Sequence, residues 1–340
     1  MTPPDRNSLM QYARLGSSGI EVSRLCMGTA TFGAQADEQA SFAMLDACAE
    51  HGVNFIDTAN AYPIGSDPAD KGHSERIVGR WLQGRRHQFI LATKGGAVMG
   101  PLSWESGNSR KHLLDAVDAS LKRLGTDYVD VYQLHYDDRK TPLDESLDAL
   151  DTIVRSGRAR YVGVSNFQAW RLARAIGRCQ TQRWASPVLV QPRYNLLFRQ
   201  IERDLVPLCQ EEGVGMICYN PLAGGLLSGK HRFAEPAQAD TRFGEGGGAQ
   251  ALYKERYWHE REFVAVEGFL QLAHDASIAP VQLAIAWVLA QPGVTSAILG
   301  ASRPEQLGDA LAAPALTLSA ELLRRLDALS HEFRMGDASR

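Results

Sequence analysis

Residues 89–94 read FILATK, an apolar run that suits a strand covered on both faces and closed by a lysine. Two other runs share the pattern: VNFID at 53–57 ends in Asp57, and VDVYQLH at 129–135 ends in His135, while Tyr62 follows Asp57 on the next loop. Placing a carboxylate, an ammonium, an imidazole and a phenol beside one another at buried strand ends is costly unless they pair and do chemistry. Fold and function therefore have to be read from the same segments.

Working outward, similar runs stand at 25–30 (LCMGTA), 161–165 (YVGVS), 187–192 (PVLVQP), 215–219 (GMICY) and 296–300 (SAILG). Between them, 37–50, 74–83, 109–124, 143–156, 168–178, 199–212 and 280–291 carry helical periodicity. Eight strands each followed by a helix predict an α/β protein with a parallel sheet, either a closed (β/α)8 TIM barrel or an open doubly wound sheet. An open sheet gathers its site at one switch point, whereas a barrel collects residues from many strand ends. Strands two to seven end in Asp57, Lys94, His135, Ser165 with Asn166, Gln191 and Tyr219, so the barrel is predicted.

Ahead of it, 12–16 (YARLG) and 20–24 (IEVSR) flank a Ser-Ser-Gly turn and predict an N-terminal β-hairpin. About 80 residues separate the starts of strands seven and eight, with Pro236, the patch GEGGG at 244–248 and a helical stretch near 254–274 between them. A loop of that length at a barrel's C-terminal face is expected to fold over a ligand. Tyr253, Tyr257 and Trp258, at helical spacing within it, read as a buried face or a subunit contact. One barrel domain is expected over 1–340, with its core at about 12–332.

The chain has 340 residues, 44% hydrophobic and 22% charged, with a net charge of −3 in which acids and bases are mixed. This is the balance of a soluble globular protein, with no basic footprint for nucleic acid or an anionic membrane. Five scattered cysteines without a C-x-x-C pair point to reduced thiols, and no apolar run approaches the roughly 18 residues of a membrane span. A cytoplasmic location is expected. G-x-S-x-G, H-E-x-x-H and any metal-binding cluster are missing from the sequence, so no metal site is predicted.

If Asp57, Tyr62, Lys94 and His135 converge, they suit carbonyl chemistry. A phenol with a pKa of about 10 is a sluggish acid near neutrality, and a neighbouring ammonium is expected to lower it. Lys94 would take that part with Asp57 as counter-ion, and His135 would orient the substrate oxygen. The reducing equivalent then has to come from a cofactor, and a nicotinamide hydride fits an acid that protonates an alkoxide.

The stretches 28–33 (GTATFG), 57–62 (DTANAY), 74–82 (SERIVGRWL), 161–167 (YVGVSNF), 190–195 (VQPRYN) and 219–229 (YNPLAGGLLSG) resemble the aldo-keto reductases, in particular the bacterial and potassium-channel-beta-like branch. The resemblance implies a barrel that binds extended NADPH and reduces a small-molecule carbonyl substrate, with Tyr62 as acid, Lys94 and Asp57 supporting it and His135 positioning the carbonyl. It further implies that Ser165, Asn166 and Gln191 hold the nicotinamide carboxamide, that Tyr219 stacks on the ring, and that Gly28, Thr29 and Asp57 adjoin the cofactor. Asn220, Pro221, Leu222, Gly224 and Lys230 would run beside the pyrophosphate. Arg242, Gly300, Ser302, Arg303 and Gln306 would grip the adenosine, the arginines suiting a 2′-phosphate. In place of the branch's usual Glu-Asn, this chain has Asp309 and Ala310, which removes an expected hydrogen bond to adenine.

Phe32 and Trp104 are candidates for the substrate pocket, and the loop 63–73 (PIGSDPADKGH) is expected to shape it. Two other functions share these residues: a regulatory subunit that senses cofactor occupancy with slow turnover, and a reductase of a sugar or nucleotide-sugar intermediate.

Overall fold

A computed structural model describes residues 10–65, 67–239, 241–244 and 249–335. Its first elements, β1 (Tyr12–Arg14) and β2 (Glu21–Ser23), form the expected antiparallel hairpin. Eight parallel strands follow: β3 (Leu25–Gly28), β4 (Phe55–Asp57), β5 (Ile90–Gly95), β6 (Val129–Leu134), β7 (Ala159–Ser165), β8 (Pro187–Gln191), β9 (Gly215–Cys218) and β10 (Val294–Leu299). They close in chain order, with β10 paired to β3, so the sheet has no free edge. The chain thus forms the predicted (β/α)8 barrel.

Side-chain alternation along these strands positions the site. Cys26, Phe55, Ala92, Val131, Leu189, Ile217 and Ile298 make one apolar layer, completed by Leu15 and Val22 of the hairpin. Two residues further along, the same inward face carries Gly28, Asp57, Lys94, Gln133, Gln191, Tyr219 and Gly300. The intervening outward residues, among them Met27, Ile56, Leu91, Tyr132, Val164 and Val190, pack in the larger core beneath the helices. Burying each such aliphatic or aromatic side chain contributes about 1.5–3 kcal/mol. Gly16, in the hairpin turn at φ 57°, lies so close to the barrel floor that a Cβ would fall 2.3 Å from the Val188 carbonyl oxygen.

The helices are α1 (Glu38–Glu50), α2 (His73–Trp81), α3 (Arg110–Leu124), α4 (Leu143–Arg155), α5 (Ala169–Gln182), α6 (Leu205–Glu212), α7 (Gln250–Tyr257), α8 (Glu260–Asp275), α9 (Pro280–Ala290), α10 (Gly308–Leu311) and α11 (Ala320–Ser330). Asp37 and Ser109 start α1 and α3 by accepting from the N–H groups of Ala40 and His112.

The helical stretch expected at 199–212 is instead a 3-10 turn, Gln200–Arg203, followed by α6. Pro207 explains the break, because its ring in a longer helix would clash with the carbonyl of residue 203. The stretch expected near 254–274 begins earlier, at Gln250, and divides into α7 and α8 at Trp258, which packs against Phe243, His231 and Phe263. Of the Gly-rich patch 244–248, only Gly244 lies within the described residues. Among the described residues no single helix is long and apolar enough to cross a membrane.

Candidate active site

At the C-terminal mouth a cavity of about 870 Å³ runs from Asp57, Tyr62 and His135 to Arg303, Gln306 and Ala310. The excursion after β9 covers it as expected, contributing Lys230, Thr241, Arg242, Leu252, Tyr253 and Arg256 to the wall.

Asp57, Lys94 and Tyr62 form a hydrogen-bonded set. The Lys94 ammonium, fully buried, donates to Asp57 Oδ2 at 2.5 Å, to the Thr58 carbonyl at 2.9 Å and to Tyr62 Oη at 3.2 Å. Those three contacts account for all three of its protons. On the other carboxylate oxygen, Asp57 Oδ1 accepts from Gln133 Nε2 at 3.0 Å and from Gln191 Nε2 at 2.9 Å. Because Lys94 occupies the phenolic oxygen as donor, the proton of Tyr62 is left for an acceptor in the cavity.

The charges are set by burial as much as by neighbours. Burial pushes the Tyr62 phenol above its usual range, and the opposing pull of Lys94 does not reverse this. The ammonium pulls in the expected direction, but the expected net lowering is corrected: dehydrating the phenolate outweighs the nearby cation. Burial also works against the charge of Lys94, but Asp57 and the Tyr62 phenol outweigh it and hold the ammonium above its usual value. For His135 burial and the Lys94 charge act in one direction, well below the usual imidazole value, so the ring is neutral near pH 7. His135 stacks on Tyr136, with ring centroids 4.4 Å apart and planes 6° from parallel, and meets the Tyr62 ring edge-on at 5.7 Å.

Ser165, Asn166, Gln191 and Tyr219 form a connected shelf beside this set. Ser165 Oγ donates to the Gln191 carbonyl at 3.0 Å, Asn166 Nδ2 to the His135 carbonyl at 3.0 Å, and Tyr219 Oη to Asn166 Oδ1 at 2.8 Å. Asn166 reaches both partners from a left-handed backbone, φ 60°, a conformation asparagine tolerates better than most residues.

At the far end, Arg242 Nη1 donates to Tyr253 Oη at 2.5 Å, and Tyr253 Oη donates to Asn220 Oδ1 at 3.1 Å. Gln306 Oε1 accepts from the Ser302 N–H at 2.9 Å. Gly224, at φ 73°, approaches Tyr253 so closely that a Cβ would fall 2.6 Å from the ring.

A model of the Aldo/keto reductase family matches residues 24–331 of this chain. The chain belongs to the aldo/keto reductase family. It is 38% identical to the uncharacterized oxidoreductase YrpG of Bacillus subtilis, over 94% of this chain and 95% of that one. A probable voltage-gated potassium channel subunit beta of Arabidopsis thaliana is 36% identical over 88% of this chain and 89% of its own length. L-glyceraldehyde 3-phosphate reductase of Escherichia coli is 35% identical over 95% of this chain and 93% of its own.

In this aldo/keto reductase, Gly28, Asp57, Tyr62, His135, Ser165, Asn166, Gln191, Tyr219, Asn220, Pro221, Leu222, Gly224, Lys230, Arg242, Gly300, Ser302, Arg303 and Gln306 all line the one cavity. Three expected contacts do not. Thr29 is fully buried behind the wall, where its hydroxyl hydrogen-bonds the Asp57 carbonyl and Ser74 Oγ. Phe32 is also fully buried, in the core, because its backbone turns inward in a bridge with Ala36. Trp104 stands half-exposed on the loop after β5 and does not line the cavity.

Tyr253 and Tyr257 are buried as expected, and Tyr253 lines the cavity as well. The loop 63–73 is tied to the mouth by Ile64, whose N–H donates to the Ala30 carbonyl at 3.0 Å and whose side chain lines the wall. Gln133 and Tyr136, beside the buried set, are not among the residues expected from the sequence. Gln133 was findable as the inward position between Val131 and His135, but Tyr136 gave no sequence signal.

A nicotinamide dinucleotide is the cofactor this family implies, and the residues present fit one. The cavity is long, the Asp57–Lys94 pair behind the Tyr62 and His135 end carries no net charge, and the far end carries Lys230, Arg242 and Arg303. Asn220 Nδ2 is buried on the wall with no hydrogen-bond partner among the described residues, a donor in want of an acceptor.

Proposed function

We propose that this aldo/keto reductase reduces an aldehyde or ketone to the alcohol with NADPH, using Tyr62 as general acid. The observation that carries this reading is the use of all three Lys94 protons on Asp57, Thr58 and Tyr62, which leaves the phenolic proton as the one available to a substrate oxygen. Held along the cavity wall, a reduced dinucleotide would supply the hydride for the carbonyl carbon. As the carbon–oxygen π pair moves onto oxygen, Tyr62 delivers its proton there, and Lys94 stabilises the phenolate that remains. Asp57, fixed by Gln133 and Gln191, keeps the ammonium charged. Neutral His135 orients the carbonyl oxygen without competing for its proton.

Toward the cofactor, Ser165, Asn166 and Gln191 would face the carboxamide, Tyr219 the ring, and the segment from Asn220 to Lys230 the pyrophosphate. Arg242 and Arg303 favour a 2′-phosphate, against the opposing charges of Glu305 and Asp309 on the same wall. The test is loss of reduced-dinucleotide absorbance with a panel of aliphatic and aromatic aldehydes, run with NADPH and with NADH. Turnover with NADPH at ordinary enzymatic rates, about 1 per second or more, supports the reading. Dinucleotide binding with turnover under about 0.01 per second on every aldehyde would instead support the second reading, a cofactor-sensing subunit, which the likeness to a potassium channel beta subunit favours.

A further inference from the structure

One cation on the cavity wall has no role in the chemistry described above. Arg256 sits in the last turn of α7, half-buried and lining the cavity, and among the described residues it makes no hydrogen bond or ion pair. It differs from Arg242, whose guanidinium is engaged by Tyr253.

Its neighbour Tyr257 accepts from Asn195 Nδ2 at 3.0 Å, and the same amide donates to the carbonyl of Asn220, which places this turn of α7 beside Tyr219; the charge of Arg256 accordingly acts on the phenols of Tyr219 and Tyr136. Tyr136 stacks on the His135 ring, and Tyr219 holds Asn166, which in turn donates to the His135 carbonyl. Arg256 therefore faces the mouth where substrate has to enter.

The charge balance there is simple. Asp57 and Lys94 neutralise each other and His135 is neutral, so of the described residues lining this end Arg256 is the cation left without a counter-ion. The other acids on the wall, Glu305 and Asp309, stand after β10 beside Arg303 and Gln306, at the far end. A half-buried guanidinium without a counter-ion is unfavourable, and its planar fork matches an oxyanion better than any neutral group.

We infer that Arg256 is a specificity-determining residue that seats an oxyanionic group, a carboxylate or a phosphate, carried by the carbonyl substrate. The inference rests on the reductase reading and adds the substrate's charge to it. An aldehyde bearing an anion is held by Arg256 while its carbonyl reaches Tyr62 and His135. An aldehyde of the same size without the charge lacks that hold.

The test compares kcat/KM for 4-carboxybenzaldehyde and 4-formylphenyl phosphate with that for 4-nitrobenzaldehyde, whose planar nitro group is close to a carboxylate in shape but uncharged. In Arg256→Met the ratio of anionic to neutral substrate should fall by about tenfold or more for at least one of the two anions, as expected for loss of a charge-assisted hydrogen bond. The loss should appear chiefly in KM, and Arg256→Lys should recover part of it.

A second measurement needs no variant. Raising the salt concentration on the wild-type protein should lower kcat/KM for the anionic aldehyde more than for the nitro compound. Both ratios unchanged in Arg256→Met, or equal salt dependence of charged and neutral aldehydes, would overturn the inference while leaving the reductase reading intact. Failure of the wild-type protein to reduce any of the three would overturn both.

Discussion

At one end of the cavity Asp57, Lys94, Gln133 and Gln191 come from strand ends, are buried, and hydrogen-bond one another at 2.5–3.3 Å. At the other, Lys230, Arg303, Gln306 and Asp309 stand on loops, turns and a short helix, and all four are exposed. The same kinds of charge act differently in these settings. Buried charges interact through a medium of low effective dielectric and have no water to fall back on, whereas exposed ones are screened within about 10 Å at moderate salt. The strand-end set should therefore couple folding to chemistry, and the loop set should govern binding alone.

Four substitutions test this contrast, beginning with the largest effect. Lys94→Met strands the Asp57 carboxylate without its cation, which should cost about 3–5 kcal/mol of stability along with turnover. A denaturation curve within about 0.5 kcal/mol of wild type, the range of an ordinary surface change, would mean the pair is not held as described. Gln133→Leu removes one of two donors to Asp57 Oδ1 and should cost about 1–3 kcal/mol, read from the same curves, with a fall in kcat. Were kcat to fall with no loss of stability, the coupling of the two would be broken at this residue.

Arg242→Ala belongs to the other end. It should weaken NADPH about tenfold more than NADH, the worth of one charge-assisted hydrogen bond, measured by fluorescence titration. An unchanged ratio would remove Arg242 from the 2′-phosphate. The smallest effect is a pH slope. Because the His135 imidazole is held well below its usual value, folding excludes a proton that the unfolded chain takes up near pH 6.5. Its contribution to stability is complete above about pH 6.5 and is lost as the pH falls below it. His135→Asn should flatten that acid slope in melting temperature, and an identical slope would show that His135 is not the group concerned.

How far the sequence could be read follows the same division. The barrel was legible because each strand is an apolar run with a polar terminus, and Asp57, Lys94 and His135 fall where side-chain alternation turns them inward. Helix starts were legible where a side chain caps them, as Asp37 and Ser109 do.

Local pattern failed where tertiary contacts decide. Trp258 breaks the helix in the long excursion by packing against Phe243, His231 and Phe263, whereas the break after β8 comes from Pro207, a local signal that periodicity alone passes over. Phe32 looked like a pocket residue from its place after β3, but its loop turns back to Ala36 and buries it. The sign of the Tyr62 shift was misjudged because sequence reveals the neighbouring ammonium without the depth of burial that outweighs it. Tyr253 and Arg256 were not assigned to the cavity because a helix in a long excursion carries no register with the barrel.

In the proposed reduction the buried end acts through the protonated phenol of Tyr62, and Tyr62→Phe removes that proton alone. Carbonyl turnover and dinucleotide affinity should be measured on the same preparation of the variant. The value of kcat should fall by at least about a hundredfold, the scale of a lost general acid, while NADPH binds as it does to the wild-type protein. Turnover within a few-fold of wild type would contradict this role of Tyr62, since the proton would then come from another group.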